Sequence, residues 1–394
     1  MSTTVLPDYS GGGIVNLLHS IGVACGAAPA HPAYAQCHAL PAVQLAAARS
    51  IVCIVIDGLG EQRFNAQHPN ACDCPNLARH RLGGLTSVFP STTASAVGAY
   101  MTGLAPAQSA LTGWRMYLQE IGQTLAILPL TPRCEVAKHT PAELPPLLFD
   151  HPSFFSRLQR TSVVFSPRAI AGSPFNVWHT RGAEVIAYGR ADEMFAGLVE
   201  RMHAPGPPRY LYAYWGDLDT AAHQAGTESE LARATLAAFD AAFGRFLADA
   251  AGSDAWIVAS ADHGFIDAPK ERLIALDEHP DIVGLLERPL CGERRVAYAC
   301  VAAAQRAEFA AKLRQRFGHA LHLHHSADLI AAGWYGNAPA HPKLASRIGD
   351  FALVMKDDWT IVDWQPGEKR HDMIGVHGGI SAAEMRVPLI ATRL

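Results

Sequence analysis

Short apolar runs rich in β-branched residues alternate along this chain with stretches whose apolar residues recur every three or four positions. The first pattern is that of strands buried in a sheet, and the second that of helices packed on its faces. The clearest strands are Ile51 to Ile56 (IVCIVI), Tyr210 to Trp215 (YLYAYW), Trp256 to Ala261 (WIVASA) and Val387 to Ala391 (VPLIA). A helix is expected from Thr227, where Thr227 and Glu230 have capping-box spacing and Leu236, Phe239, Phe243 and Phe246 recur on one face. A second is expected over about 304–317, with Phe309, Leu313 and Phe317 on one side and Glu308 four residues before Lys312. It follows a strand of another kind, Arg295 to Val301. The fold class these elements predict is α/β: a three-layer sandwich with a mostly parallel central sheet flanked by helices. Residues 275–342 fall between two segments assigned below to one active site. They are expected to form a smaller α+β cap inserted into a catalytic core of 1–274 and 343–394.

Composition narrows the partners. With 394 residues, 49% hydrophobic and only 17% charged, the chain has a sizeable core to bury and no disordered character. A net charge of −4 and the lack of a dense Lys/Arg run remove the attraction that holds nucleic-acid polymers. A small molecule is the expected partner. The first residues lack the basic start and apolar core of a secretory signal, and no apolar run approaches membrane-spanning length, so a cytoplasmic protein without membrane partners is expected. The cysteines show no paired spacing; Cys72 and Cys74, a C-x-C without a second pair, read as incidental.

In open α/β sheets ligands gather at the carboxyl ends of strands. Asp57 follows the first strand there, and Asp262 and His263 follow WIVASA. Asp219 and His223 come just after YLYAYW, four residues apart, a spacing that puts both on one face of a helical turn. Each pair alone could be a helix cap or a surface pair. Together with His377 in VHGG they supply three Asp and three His, side chains that bind Zn(II) or Mn(II). Thr93, in FPSTTASAVGAYMTGL, stands at the start of a helix whose apolar face is Val97, Tyr100, Met101 and Leu104. There the backbone N–H groups and helix dipole favour an anion, and a bound cation could convert the hydroxyl to an attacking alkoxide. Taken by themselves, Ser91 to Thr93 would read more simply as helix caps.

Five ordered segments, VIDGLG, FPSTTAS…TGLAP, DLDTAAH, SADHGF and GVHGG, resemble the alkaline phosphatase superfamily and, within it, the type I phosphodiesterase/nucleotide pyrophosphatase family. The resemblance runs from Asp57 to the C-terminal region. It implies one metal held by Asp219, His223 and His377 and another by Asp57, Asp262 and His263, with Thr93 bound to the latter as nucleophile. It also implies two divalent ions, typically zinc with manganese as an alternative, and a phospho-threonine intermediate. Trp114 stands where pyrophosphatase members place an Asn that binds phosphate, and Ser95 and Ala96 replace the usual Pro and Asn after the nucleophile.

The activity expected is hydrolysis of phosphoric esters, of the phosphodiesterase/nucleotide pyrophosphatase type. The alternatives are a phosphomonoesterase, a phosphonoacetate-like phosphonate hydrolase, and a metal-binding interaction module without catalysis. Trp114, Arg115 and Tyr117 are the candidate substrate pocket, with Trp334 and Tyr335 as further aromatics. His322, His324 and His325 read as an exposed face of a cap strand, and His371 has no assignable role.

Overall fold

A computed structural model describes residues 3–28, 34–65 and 74–394; Cys72 lies outside them. The main sheet has seven strands in the order Arg81–Thr86, Arg386–Arg393, Ala255–Ser260, Ser50–Ile56, Arg209–Trp215, Thr161–Pro167 and Ala183–Tyr188. Arg386–Arg393 runs antiparallel to both its neighbours, and the other pairings are parallel. Every residue of Ser50–Ile56 is buried, as expected of a central strand with helices over both faces. The predicted run VPLIA is the antiparallel one, a distinction that apolarity alone does not encode.

The long helix begins later than its sequence signature suggests. It spans Glu230–Asp249 with Ser229 as N-cap, whose hydroxyl accepts the N–H of Ala232. Thr227 is diverted instead, its backbone N–H donating to Asp267. Leu236, Phe239, Phe243 and Phe246 are buried in the main core, a burial that stabilises by about 1.5–3 kcal/mol per side chain.

A second sheet of seven strands is antiparallel throughout: Leu321–His325, Phe351–Met355, Val296–Ala299, Cys291–Gly292, Arg115–Leu118, Gln123–Ala126 and Thr131–Pro132. Segment 275–342 supplies three of these; the others come from 115–132 and from Phe351–Met355. The period-two alternation of strands gives this sheet two cores. On one face Ala297, Ala299, Leu353 and Met355 meet Phe309, Leu313 and Phe317 of the helix Arg306–Phe317, where Glu308 and Lys312 pair at 2.9 Å. On the other, Val296, Tyr298, Ala352 and Val354 pack with Phe89 and Tyr335. Phe89 lies four residues before Thr93, so this second face is built against the candidate nucleophile turn.

Tyr335 is fully buried against Phe89 and Tyr298, and Trp334 meets the edge of Phe89 at 5.0 Å, so both serve packing. His322 and His324 share one face of an edge strand of this sheet, and His325 takes the other. Cys25, Cys37, Cys53, Cys134, Cys291 and Cys300 are free thiols. Among the described residues, no helix is long and apolar enough to cross a membrane.

Candidate active site

Three neighbouring parallel strands, Ala255–Ser260, Ser50–Ile56 and Arg209–Trp215, end at one edge of the main sheet and deliver their acidic residues together. Asp57 follows the middle strand, Asp262 and His263 follow the first, and the helix Asp217–Ala225 after the third carries Asp219 and His223. In VIDGLG the chain turns sharply at Gly58, whose φ is +79° and where a Cβ would lie 2.4 Å from the Phe265 ring. Only glycine fits both demands. His377 arrives on the loop after Gly375–Val376, next to Gly378 at φ +113°. That loop is fixed by a buried pair, Arg295 to Glu384 at 3.0 Å, with Glu384 also accepting the N–H of Gly379.

These elements bring all six predicted ligands together. The ligand atoms of Asp57, Asp262 and His263 lie within 4.8 Å of one another, as do those of Asp219, His263 and His377. His263 belongs to both groups, and His223 Nε2 approaches Asp219 Oδ1 at 3.3 Å. Each histidine is held by its other nitrogen: His223 Nδ1 to Gly375 O at 2.8 Å, His263 Nδ1 to Gly264 O at 3.1 Å, His377 Nδ1 to Ser91 O at 3.3 Å. A carbonyl can only accept, so Nδ1 carries the proton and the lone pair of Nε2 faces the cluster. His263 and His377 stack at 3.6 Å, and Phe265 meets all three rings edge-on.

The carboxylates are left wanting a cation. Asp57 Oδ1, Asp219 Oδ1 and Asp262 Oδ2 are buried without a hydrogen-bond partner. Their other contacts are orderly: Tyr214 donates to Asp57 Oδ2, and Asp262 Oδ1 accepts the N–H groups of Gly58 at 3.1 Å and His263 at 3.0 Å. Burial, with the Asp262 and Asp219 charges, pushes the Asp57 carboxyl well above its usual range, and burial raises Asp262 likewise. Burial and the neighbouring imidazoles His263 and His223 hold His377 well below its ordinary value. For His223, burial opposes protonation, but the neighbouring Asp219 carboxylate lifts it. Unpaired oxygens beside unprotonated Nε2 atoms are a donor set for divalent metal, and its charge would relieve the repulsion.

The threonines divide their roles. Thr93 opens the helix Thr93–Thr102, and its hydroxyl lies 3.1 Å from His263 Nε2. Thr92, at the N-cap, donates its hydroxyl to Glu293 at 2.6 Å, and Ser91 donates to Gly379 O at 2.7 Å. Neither caps the helix through its side chain, so the N–H groups of its first turn have no side-chain acceptor there.

The predicted substrate pocket separates. Trp114 is 39% exposed, with its backbone N–H held by Glu293 at 2.6 Å. Arg115 is engaged by Glu368. Tyr117 lies under Arg288 and lines a distinct cavity of about 590 Å³ with His325 and Asp350. His371 gives its backbone carbonyl to Arg294. Two residues escaped the sequence reading. Tyr214 is signalled only by its place near the end of a strand, and Glu293, which burial pushes up to about 7, by nothing in CGERR.

Comparison with known proteins identifies a family and similar folds. The sequence pattern of the type I phosphodiesterase / nucleotide pyrophosphatase family matches residues 51–380. Murine ectonucleotide pyrophosphatase/phosphodiesterase 5 superposes with a TM-score of 0.65 at 15% identity, over 86% of this chain and 87% of its own. The human counterpart gives 0.64 at 17% identity, with the same coverage of 86% and 87%. Phosphonoacetate hydrolase from Sinorhizobium meliloti, in complex with phosphonoacetate, gives 0.63 at 18% identity over 88% and 90%. No curated protein sequence matches. The chain belongs to the type I phosphodiesterase/nucleotide pyrophosphatase family of the alkaline phosphatase superfamily, and it is a metal-dependent phosphoric-ester hydrolase of that type.

Proposed function

We propose that this enzyme cleaves small phosphoric diesters by two successive displacements at phosphorus, with Thr93 as the nucleophile. Asp57, Asp262, His263 and Thr93 would hold one divalent ion, and Asp219, His223 and His377 a second, zinc being the ion their nitrogen and oxygen donors suit. The observation that carries this reading is the set of buried, unpartnered oxygens on Asp57, Asp219 and Asp262 beside the Thr93 hydroxyl. Bound there, the ions would supply Lewis-acid charge, lowering the pKa of the hydroxyl and stabilising the leaving oxygen.

The protein's own part is positioning. Thr93 releases its hydroxyl proton to solvent as Oγ forms a bond to phosphorus, the ester P–O bond on the far side breaks, and the alcohol departs with that electron pair and takes a proton from solvent. The open N–H groups of the first helical turn receive the phosphoryl oxygens. In the second step water attacks the phospho-threonine, the Thr93 Oγ–P bond breaks, and the hydroxyl is restored with net retention at phosphorus. Backbone-anchored imidazoles and the Tyr214 hydrogen bond keep the ligands from collapsing on one another, so little reorganisation accompanies the reaction.

Hydrolysis of bis(4-nitrophenyl) phosphate tests this directly. Thr93→Ala should lose at least about a thousandfold in kcat, and chelator-treated protein should be inactive until zinc or manganese is restored. Undiminished turnover by either would refute the reading. Including 4-nitrophenyl phosphate and phosphonoacetate in the panel ranks diester, monoester and phosphonate chemistry.

A further inference from the structure

Resting on the reading of Thr93 as nucleophile, we propose that Glu293 determines which substrate charge the site accepts, favouring singly charged diesters over doubly charged monoesters. The side chain comes from the second sheet, at the turn between Cys291–Gly292 and Val296–Ala299, where its backbone N–H donates to Val296 O at 2.7 Å. One carboxylate oxygen accepts from the hydroxyl of Thr92 and from the N–H of Trp114, each at 2.6 Å. On another side it abuts the loop after His377: a Cβ placed on Gly378 would stand 3.2 Å from Glu293 Cβ. The carboxylate is thus wedged between the residue before the nucleophile, the loop behind the last imidazole, and the one half-exposed tryptophan of the predicted pocket.

A monoester presents a second negative oxygen, which needs positive charge to meet it. The basic side chains beside this position are already committed: Arg115 to Glu368, Arg294 to the carbonyl of His371, and Arg295 to Glu384. What the site adds next to the nucleophile is a carboxylate, and like charges this near oppose a dianion more than a monoanion. The same carboxylate fixes the backbone of Trp114, leaving its ring as an apolar surface for the second ester group.

The test compares kcat/KM for bis(4-nitrophenyl) phosphate and 4-nitrophenyl phosphate in the metal-loaded enzyme at about pH 8.5, where the carboxyl is ionised. Glu293→Gln retains an oxygen for both hydrogen bonds and removes the charge. Its monoester kcat/KM should rise on the order of tenfold against the diester, and the inhibition constant of inorganic phosphate should fall by a similar factor. Glu293→Asp, which keeps the charge, should retain the wild-type ratio. A merely structural side chain would lower both substrates together. An unchanged ratio in Glu293→Gln, or a ratio in Glu293→Asp equal to that of Glu293→Gln, overturns the inference while active wild type and inactive Thr93→Ala leave the nucleophile standing. Wild-type protein without metal-dependent turnover of either ester would remove both.

Discussion

The molecule buries two groups of histidines, and they have solved the problem of burial in opposite ways. At the strand ends, His223, His263 and His377 give Nδ1–H to carbonyls and turn Nε2 toward carboxylate oxygens that have no partner. Within the main core, His179 gives Nδ1–H to Phe175 O at 2.8 Å, and its Nε2 faces His151 Nε2 at 3.2 Å. One proton shared along that line satisfies both nitrogens, with both rings neutral and packed on Phe149 and Phe175. The only carboxylate beside the pair in sequence, Asp150, is turned to His341 at 3.1 Å. A count of imidazoles does not tell these clusters apart. Orphaned carboxylate oxygens do: the unpartnered nitrogen of the core pair, His151 Nδ1, is neutral, whereas the first cluster has negative charge waiting for a cation.

The largest effect expected from this contrast is on activity. Asp262→Asn keeps the Oδ1 acceptor and removes the charge, and should cost at least about a thousandfold in diester kcat together with bound metal, measured by kinetics and elemental analysis. The double variant His151→Phe, His179→Phe should retain its metal. Loss of metal in that double variant would break the comparison.

Next comes metal removal. Burial raises the carboxyl pKa of Asp57 and Asp262 above the unfolded value, so their share of metal-free stability is present in acid and is lost as pH rises through the folded pKa. Denaturant titration should therefore show chelated wild type losing stability relative to a chelated Asp57→Asn, Asp262→Asn variant as pH rises from acid toward neutral. Zinc at a thousand times its dissociation constant should restore about 4 kcal/mol. A stability difference from that variant that grows in favour of wild type with rising pH would contradict the cluster's assigned charge.

The core pair has the opposite sign. Burial holds His151 at about 4 and His179 at about 3, below the ordinary 6.5, so the unfolded chain binds more protons between those values. Stability should fall as pH drops from about 6.5 toward 4, by on the order of 5 kcal/mol for the pair. The double variant should flatten that slope in holoenzyme melts, and a slope left intact would assign it elsewhere. Smallest of all, Ser229→Ala should cost about 1 kcal/mol in chemical denaturation and leave the metal content unchanged. It sets the scale of a change remote from both clusters.

Much of the candidate site is legible before folding because its ligands follow apolar strands directly. Asp57, Asp262 and His263 are marked by where IVCIVI and WIVASA end, and Asp219 and His223 by helical spacing. Thr227 and Ser229 offer rival caps three residues apart from eligible partners, and a tertiary bond to Asp267 decides between them. The strands Arg115–Leu118 and Gln123–Ala126 are too short and too polar to announce a sheet, and their pairing with residues near 292 is a long-range event. For the same reason Glu293 is invisible in CGERR: its meaning comes from Thr92 and Trp114, about two hundred residues away in sequence. Trp334 and Tyr335 carried the opposite ambiguity, since aromatic residues serve a pocket and a core equally well.

Anomalous diffraction from crystals grown with zinc tests the central claim most directly. The account predicts two peaks, one among Asp57, Asp262, His263 and Thr93 and one among Asp219, His223 and His377, with none at His151 and His179. Fully occupied zinc elsewhere, with these oxygens still unpaired or Thr93 turned away from the ion, would contradict it.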